Sequence, residues 1–589
     1  MKKISFLIFL VSILFGCNNA DNSEKKERVA KGDVFYGGVL RINEVEDFRN
    51  LFPQAVSEVT SWHIVSNIYE GLVKLNQKDL SIMPAIAKSW EINESATTYT
   101  FHLRKGVKFH DDECFESGEG RELTAADVKY CFDKVCSADS DNKGFWVFEN
   151  KVKGADEYYK SSKSKNNLPG GVSGFKVIND STFVIELNYP FSGLMNLLST
   201  PYCSVFPKEA FEKYGVEMRT RCVGTGPFKV KEVKEGQAVI LVRNDNYWDT
   251  DKFGNQLPYL DAIQCSFIKE KKSELLEFKK GNLDLVFRLP LEMIGDVVGE
   301  LEEAQSGGNP SFEMQVMPSL SICYYGFQHN SEIFKNKKVR QAFNCAVDKD
   351  AIVNFTMQGD GIPAKYGIVP TCFKDYNTAS LSGYKFNPDL ARKYLAEAGF
   401  PGGKGFPELT LDLNSGGGRN VQIAEVVQKM LNENLGIKIK LNTLPLAQHL
   451  EQVESGKSIF FRVAWQADYP DPENFLNGFY GKNIPENPSD RSYINACRYS
   501  NAAFDSLFET AQRTQDVKLR NELLLKADKI QLEDAAVLPI YYEENTRLVQ
   551  LNVRNFDQNA MEYRDYSRVY FQKEKKKKDS TNTEVTNSN

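Results

Sequence analysis

The chain is poor in the residues that most enzymes recruit. It carries five histidines in 589 residues (His63, His102, His110, His329 and His449), and only His102 and His110 lie near each other. None forms the H-E-x-x-H pair of a zinc hydrolase, and the partners a metal site needs are missing from the local sequence. There is no G-x-S-x-G elbow to present a serine nucleophile. Gly456-Lys457-Ser458 imitates the end of a phosphate-binding loop, but Glu451 stands five positions before it where a glycine is required. Gly224-Thr225-Gly226-Pro227 is not G-x-G-x-x-G, and Pro227 removes an N–H that a phosphate cradle uses; it reads as a tight loop before a strand. The chain also lacks a basic face: the formal net charge is −6 with both signs mixed, which excludes a nucleic-acid binder of the usual kind. These absences argue for a non-enzyme without cofactor or metal.

Cysteines are plentiful but unpatterned. Eleven occur, with no C-x-x-C pair and no zinc spacing. Cys131 and Cys136, five apart on a predicted helix, do not face each other. Most of the ten beyond Cys17 read as small buried hydrophobes; their pairing stays open. No apolar run after Cys17 reaches the ~20 residues of a membrane-spanning helix.

What is present begins at the front. Lys2 and Lys3 precede the apolar run Ile4 to Phe15, too short to span a bilayer but suited to a cleaved export signal. The run ends Leu14-Phe15-Gly16-Cys17, which resembles the lipobox of bacterial lipoproteins; that resemblance implies an acylated Cys17 as the first mature residue. Residues 18–33 read as a polar linker and 573–589, with Lys573 to Lys578 largely basic, as a disordered tail. The protein is therefore expected outside the cytoplasm, held at a membrane through lipidated Cys17.

The body has the length of three or four domains at ~150 residues each and a mixed α/β pattern. Thr98 to Leu103, Thr182 to Leu187, Ala238 to Arg243 and Leu409 to Leu413 alternate as strands. Thr124 and Asp127 form a capping box ahead of a helix whose apolar stripe is Val128, Cys131, Phe132, Val135 and Cys136. Gly416 to Gly418 break the chain before a helix over about 421–434, and Leu519, Leu523, Ala527 and Ile530 mark another helix near the end. No repeat of 20–50 residues appears.

Eight blocks occur in order: Ile68-Tyr69-Glu70-Gly71-Leu72-Val73; Pro84 to Trp90; Tyr99 to Asp111; Thr124 to Val128; Val223 to Phe228; Arg243 to Trp248; Val339 to Phe343; and Trp465 to Leu476. Together they resemble the extracytoplasmic solute-binding proteins of family 5, the oligopeptide- and dipeptide-binding lipoproteins of peptide-type ABC importers, over about Gly37 to Phe571. The resemblance implies a two-lobed periplasmic-binding-protein-like α/β fold (type II, cluster C) with an inserted subdomain. It divides the chain into lobe I (34–60, 171–284 and 535–572), the insert (61–170) and lobe II (285–534). Cys114 to Glu122 departs from the family, which has a shorter turn there.

The family further implies a hinged monomer that captures short peptides and delivers them to an ABC permease and ATPase. Other solutes bound by the same fold, such as nickel complexes, haem or sugars, and a sensor without transport remain open alternatives. The stretch Ser458 to Leu476 carries the site. As a strand it sets Phe461, Val463 and Trp465 on one face and Arg462, Ala464 and Gln466 on the other. By resemblance the strand's backbone pairs with the ligand's backbone, Asp468 holds its α-ammonium, Arg462 meets its carboxylate in some members, Trp465 lines a side-chain pocket, and Val59 offers a backbone contact from lobe I. Read from the residues alone, Asp468 is equally a turn residue before Tyr469 and Pro470, and Arg462 a structural ion pair.

Overall fold

A computed structural model describes residues 29–164, 168–307, 310–415 and 418–572. The export signal, Cys17, residues 18–28 of the linker and the tail 573–589 lie outside the described residues.

Three sheets organise the α/β chain. The first has the order Val39–Asn43, Ala262–Ser266, Ala238–Arg243, Phe228–Lys234, with its first pair parallel. The second, wholly antiparallel, runs Ala87–Ile92, Thr98–Leu103, Thr182–Glu186, Phe175–Asn179. The third has seven strands. Its main path is Leu285–Phe287, Val537–Gln550, Phe312–Phe327, Phe460–Gln466, Leu409–Asn414, Ile439–Leu444, and Ile362–Pro363 pairs with Val537–Gln550.

The first two sheets share one apolar core in which Leu40, Leu241 and Ile263 join Phe101, Phe132 and Phe183. The seven-stranded sheet separates two further cores. Phe460 belongs to one with Phe327, Leu411 and Ile540, and Phe461 to the other with Phe475, Leu476 and Tyr542. Adjacent residues of one strand thus point into opposite cores, as a strand buried on both faces requires.

The domain boundaries expected from the family move in two places. Phe175–Asn179 and Thr182–Glu186, placed in lobe I, complete the sheet of the insert. Thr98–Leu103 has Ala87–Ile92 on one edge only, and its apolar residues Tyr99, Phe101 and Leu103 need cover; pairing with Thr182–Glu186 supplies both, adding Phe183 and Ile185 to the same core. Likewise Val537–Gln550 is a central strand of the seven-stranded sheet, not of lobe I, and is buried on both faces through Leu538, Ile540, Tyr541 and Tyr542. The chain rejoins the first core at the end of that strand, through Val549, and continues in it with Val553, Phe556, Tyr566 and Val569.

Local expectations hold at several points. Asp127 accepts the Thr124 N–H at 2.8 Å in the capping box. The divergent loop ends on Arg121, which pairs with Asp127 and Glu209. Seven of the ten described cysteines are buried. Gly226 is required by a close approach of two backbones: a Cβ there would sit 2.6 Å from the Ile68 carbonyl carbon. The helix Val517–Glu533 differs from its expected stripe. Leu519 is 48 % exposed, and the buried face is Arg520, Leu524, Ala527, Asp528 and Gln531. Polar residues are tolerated there because they are partnered: Arg520 with Asp471 at 2.8 Å, and Asp528 with Tyr376, Gln531 and the Ile368 N–H.

Candidate functional site: a strand edge and a carboxylate

The strand Phe460–Gln466 is paired unequally on its two sides. Along Phe312–Phe327 the ladder runs from Phe460↔Phe327 to Gln466↔Ser321. On the other side Leu409–Asn414 is in register only at Phe460 and Phe461. Beyond Phe461 that edge has no partner strand among the described residues.

Which backbone groups face the open edge follows from parity. The Ala467 N–H bonds the Leu320 carbonyl at 2.9 Å. Successive residues of a strand point their N–H and C=O to alternate sides. Val463 and Trp465 therefore bond toward Phe312–Phe327, and Arg462, Ala464 and Gln466 present theirs to the open edge. His449 Nε2 meets the Arg462 carbonyl at 2.9 Å and occupies one of these positions. Ala464 is exposed, and its methyl leaves room for a second backbone. Residues 464–466 are a template for one more strand.

The side chains divide as the alternation predicts. Phe461 is buried in a core that Val463 and Trp465 pack against. On the opposite face Arg462, Ala464 and Gln466 stand across from Tyr325, Cys323 and Ser321. Arg462 is buried and donates to Asn414 Oδ1 at 2.9 Å. Among the described residues no ion pair engages it, and Glu543 attracts it only through space. The structural ion pair that its sequence context allowed is absent from this set. Gln466 donates to the Met561 carbonyl at 2.9 Å and accepts from Arg288 at 3.4 Å. Its side chain is thereby tied to Met561 and Arg288, and its backbone is what faces the open edge.

Asp468 lies two residues past the strand. Its one side-chain hydrogen bond among the described residues comes from Asn474 Nδ2, at 3.3 Å. Burial without a cation raises its pKa to about 6, and the Asn474 bond only partly offsets that. The field of Asp468 is felt by Tyr202, from lobe I, and by Tyr493. The turn reading does not account for this carboxylate. Asp471 caps the helix Pro472–Leu476 instead, accepting from the Glu473 N–H at 2.9 Å.

Two more placements complete the set. Trp465 is half-buried, with its indole N–H on Asn474 Oδ1 at 3.0 Å. It packs against the core that Trp62, on the helix Val59–Val65, also touches. Val59 is the first residue of that helix and half-buried. Nothing in the sequence singled out Asn474. The signal was available only in outline, as an amide six residues after the carboxylate it serves.

The lobes meet beside this site. Trp146 stacks on Tyr469 with ring centroids 6.3 Å apart, Asn196 bonds Asp471, and the Ser192 N–H bonds the Gln512 carbonyl at 3.1 Å. A cavity of about 330 Å³ lies behind the stacked rings, between Lys151 and Tyr189 on one wall and Glu473 and Arg513 on the other. Among the described residues no group of three or more His, Cys, Asp or Glu is arranged to hold a metal ion.

Comparison with known proteins agrees with this architecture. Residues 81–487 match the family described as bacterial extracellular solute-binding proteins, family 5 Middle. The chain is 28 % identical to heme-binding protein A of Haemophilus influenzae, covering 87 % of this chain and 88 % of that protein. It is 27 % identical to the periplasmic oligopeptide-binding protein OppA of Salmonella typhimurium, over 86 % and 88 %. The periplasmic binding protein DppA of Helicobacter pylori, solved with peptide STSA, superposes with a TM-score of 0.76 at 24 % identity, covering 91 % of this chain and 99 % of that one. The chain belongs to family 5 of the bacterial extracellular solute-binding proteins.

Proposed function

We propose that the protein captures short peptides outside the cytoplasm and delivers them to the permease of an ABC importer, tethered meanwhile to a membrane through a lipid on Cys17. One observation carries the peptide reading: a half-buried carboxylate without a cation among the described residues, Asp468, stands at the end of an open strand edge. An α-ammonium is the complement of the first and an extended backbone the complement of the second. The two groups occur together, in that spatial order, at the amino end of a peptide.

Backbone pairing at Ala464 and Gln466 ignores side-chain identity, so such a site accepts many sequences. Arg462, without an anionic partner among the described residues, is the candidate for the ligand's carboxylate. Trp465 and Val59 serve as walls from the two lobes. Binding closes the lobes about their hinge, as in other two-lobed receptors, and a tether keeps the monomer near its transporter at high effective concentration.

A second reading keeps the fold and changes the solute to haem, because heme-binding protein A is a full-length relative. Native mass spectrometry of the purified full chain separates the two. Co-purified peptides appear as an envelope of masses that fragments into sequence ladders. Haem appears as a single mass with a Soret band, and that outcome overturns the peptide reading.

A further inference from the structure

Asn474 makes three hydrogen bonds with one amide. Its Oδ1 accepts from the Asp468 N–H at 3.2 Å and from Trp465 Nε1 at 3.0 Å, and its Nδ2 donates to Asp468 Oδ2 at 3.3 Å. The surroundings fix the amide's sense. Reversed, it would set an NH₂ against two N–H donors and an oxygen against a carboxylate.

The residue that makes these bonds is itself immobilised. Asn474 is 3 % exposed, in the middle of the helix Pro472–Leu476. Phe475 and Leu476 bury the next turn in the third core. Asp471, at the head of the helix, is held by Arg520 at 2.8 Å in a pair of which each side chain is 8 % exposed. Asp468, by contrast, lies beyond the end of its strand, and its carboxylate has no other side-chain hydrogen bond among the described residues. A buried carboxylate that must meet a ligand cation at one position loses binding energy if it can turn away.

We propose that Asn474 is the positioning residue of this site, holding the Asp468 carboxylate and the Trp465 indole as one unit so that ammonium acceptance and the adjoining aromatic wall are set together. The inference rests on the reading that Asp468 takes the ligand's α-ammonium. It adds that discrimination for a free amino terminus is a property of the Asp468–Asn474 pair. Two substitutions act differently on the pair. Asn474→Leu removes all three bonds at similar volume. Asn474→Asp keeps the acceptor for both N–H groups and replaces the donor by a second carboxylate. That like charge raises the proton affinity of Asp468. The other titratable groups in its field, Tyr202 and Tyr493, are neutral through this range, which lies far below the ordinary phenol pKa.

The test uses the full chain, calorimetry, and the oligoalanine series of two to five residues, free and N-acetylated. Thermal unfolding confirms that each variant folds. With Asn474→Leu, affinity for the free peptides falls at least tenfold while the acetylated ones change less than threefold, and tryptophan emission shifts as Trp465 loses its partner. With Asn474→Asp, the midpoint of the affinity–pH curve moves up by a unit or more. Wild-type discrimination in Asn474→Leu together with an unmoved midpoint in Asn474→Asp overturns the positioning role. Should Asp468→Asn keep full discrimination between free and acetylated peptides, the ammonium reading itself falls, and this inference with it.

Discussion

The side-chain amide of Asn196 donates to Asp471 Oδ2 at 3.1 Å and links a helix of the first core to the helix Pro472–Leu476. Asn196 sits in the helix Leu194–Leu198, whose leucines are buried in the first core. Asp471 heads the short helix behind Asp468 and is clamped from its own side by Arg520. The bond thus joins the first core to the helix whose Asn474 bonds Asp468.

Asn196→Ala removes that contact and touches no proposed ligand group. One such bond contributes ~0.5–1.5 kcal/mol, so affinity for peptide falls about two- to tenfold. Stopped-flow displacement is expected to place most of the change in the dissociation rate, as loss of a bond across the proposed closing cleft requires.

Asp468 couples function to stability with opposite signs. Its pKa in the fold, about 6, lies above the ordinary aspartate value of 3.8. Ionisation therefore destabilises the fold: the cost begins as pH rises through about 4, is complete above about 6, and at pH 7 is on the order of 1–3 kcal/mol. Asp468→Asn is expected to raise the unfolding midpoint at pH 7 and to leave it unchanged at pH 3.5, while weakening peptide binding. In the wild type, affinity is expected to be highest between about pH 6 and pH 8, to fall roughly tenfold per unit below that range, since only the carboxylate accepts the ammonium, and to fall again above it as the ligand's α-amino group loses its proton.

The proposed role of Arg462 predicts a preference for a free carboxyl terminus at one ligand length. Six residues separate it from Asp468, roughly 20 Å along an extended chain, and the reach of the two side chains shortens the gap to about three or four ligand residues. Arg462→Met removes the charge at similar volume. It is expected to abolish the preference for peptide acids over peptide amides at that length and to leave longer ligands within a factor of three. Competition calorimetry across a length series checks this.

Cys17→Ala is expected to move the protein from the membrane fraction to the soluble fraction without altering peptide affinity. Acyl chains provide the anchor at ~0.8 kcal/mol per buried methylene, and the described body contains no helix long and apolar enough to cross a membrane.

Much of the site follows from strand periodicity. The division of Phe461, Val463 and Trp465 from Arg462, Ala464 and Gln466 needs only the alternation of a strand, and the isolated carboxylate at Asp468 needs only its place after that strand. The open edge was not legible, because it depends on where Leu409–Asn414, a partner about fifty residues away, stops pairing. Asn474 was hidden for a related reason: its amide reaches back across a turn to two residues that sequence spacing does not bring together. The same limit explains the boundaries that moved. Phe175–Asn179 and Val537–Gln550 are ordinary strands in sequence, and only their partners decide which sheet they complete. In the helix Val517–Glu533 the stripe marked the element and, through Leu523, Ala527 and Ile530, the side that packs on the core, while Leu519 turns outward and Arg520 and Asp528 are buried by virtue of distant partners.

The account's central claim is that Asp468 holds the α-ammonium of a peptide lying on the open edge at Ala464 and Gln466. Titration calorimetry of the wild type and of Asp468→Ala with one peptide, free and N-acetylated, tests it most directly. A buried charge pair of this kind contributes about 2–5 kcal/mol. Acetylation should therefore weaken wild-type binding at least thirtyfold, and Asp468→Ala should bind both forms equally and no better than the wild type binds the acetylated one. Retention of wild-type affinity by Asp468→Ala, or of its preference for the free amino terminus, would contradict the claim.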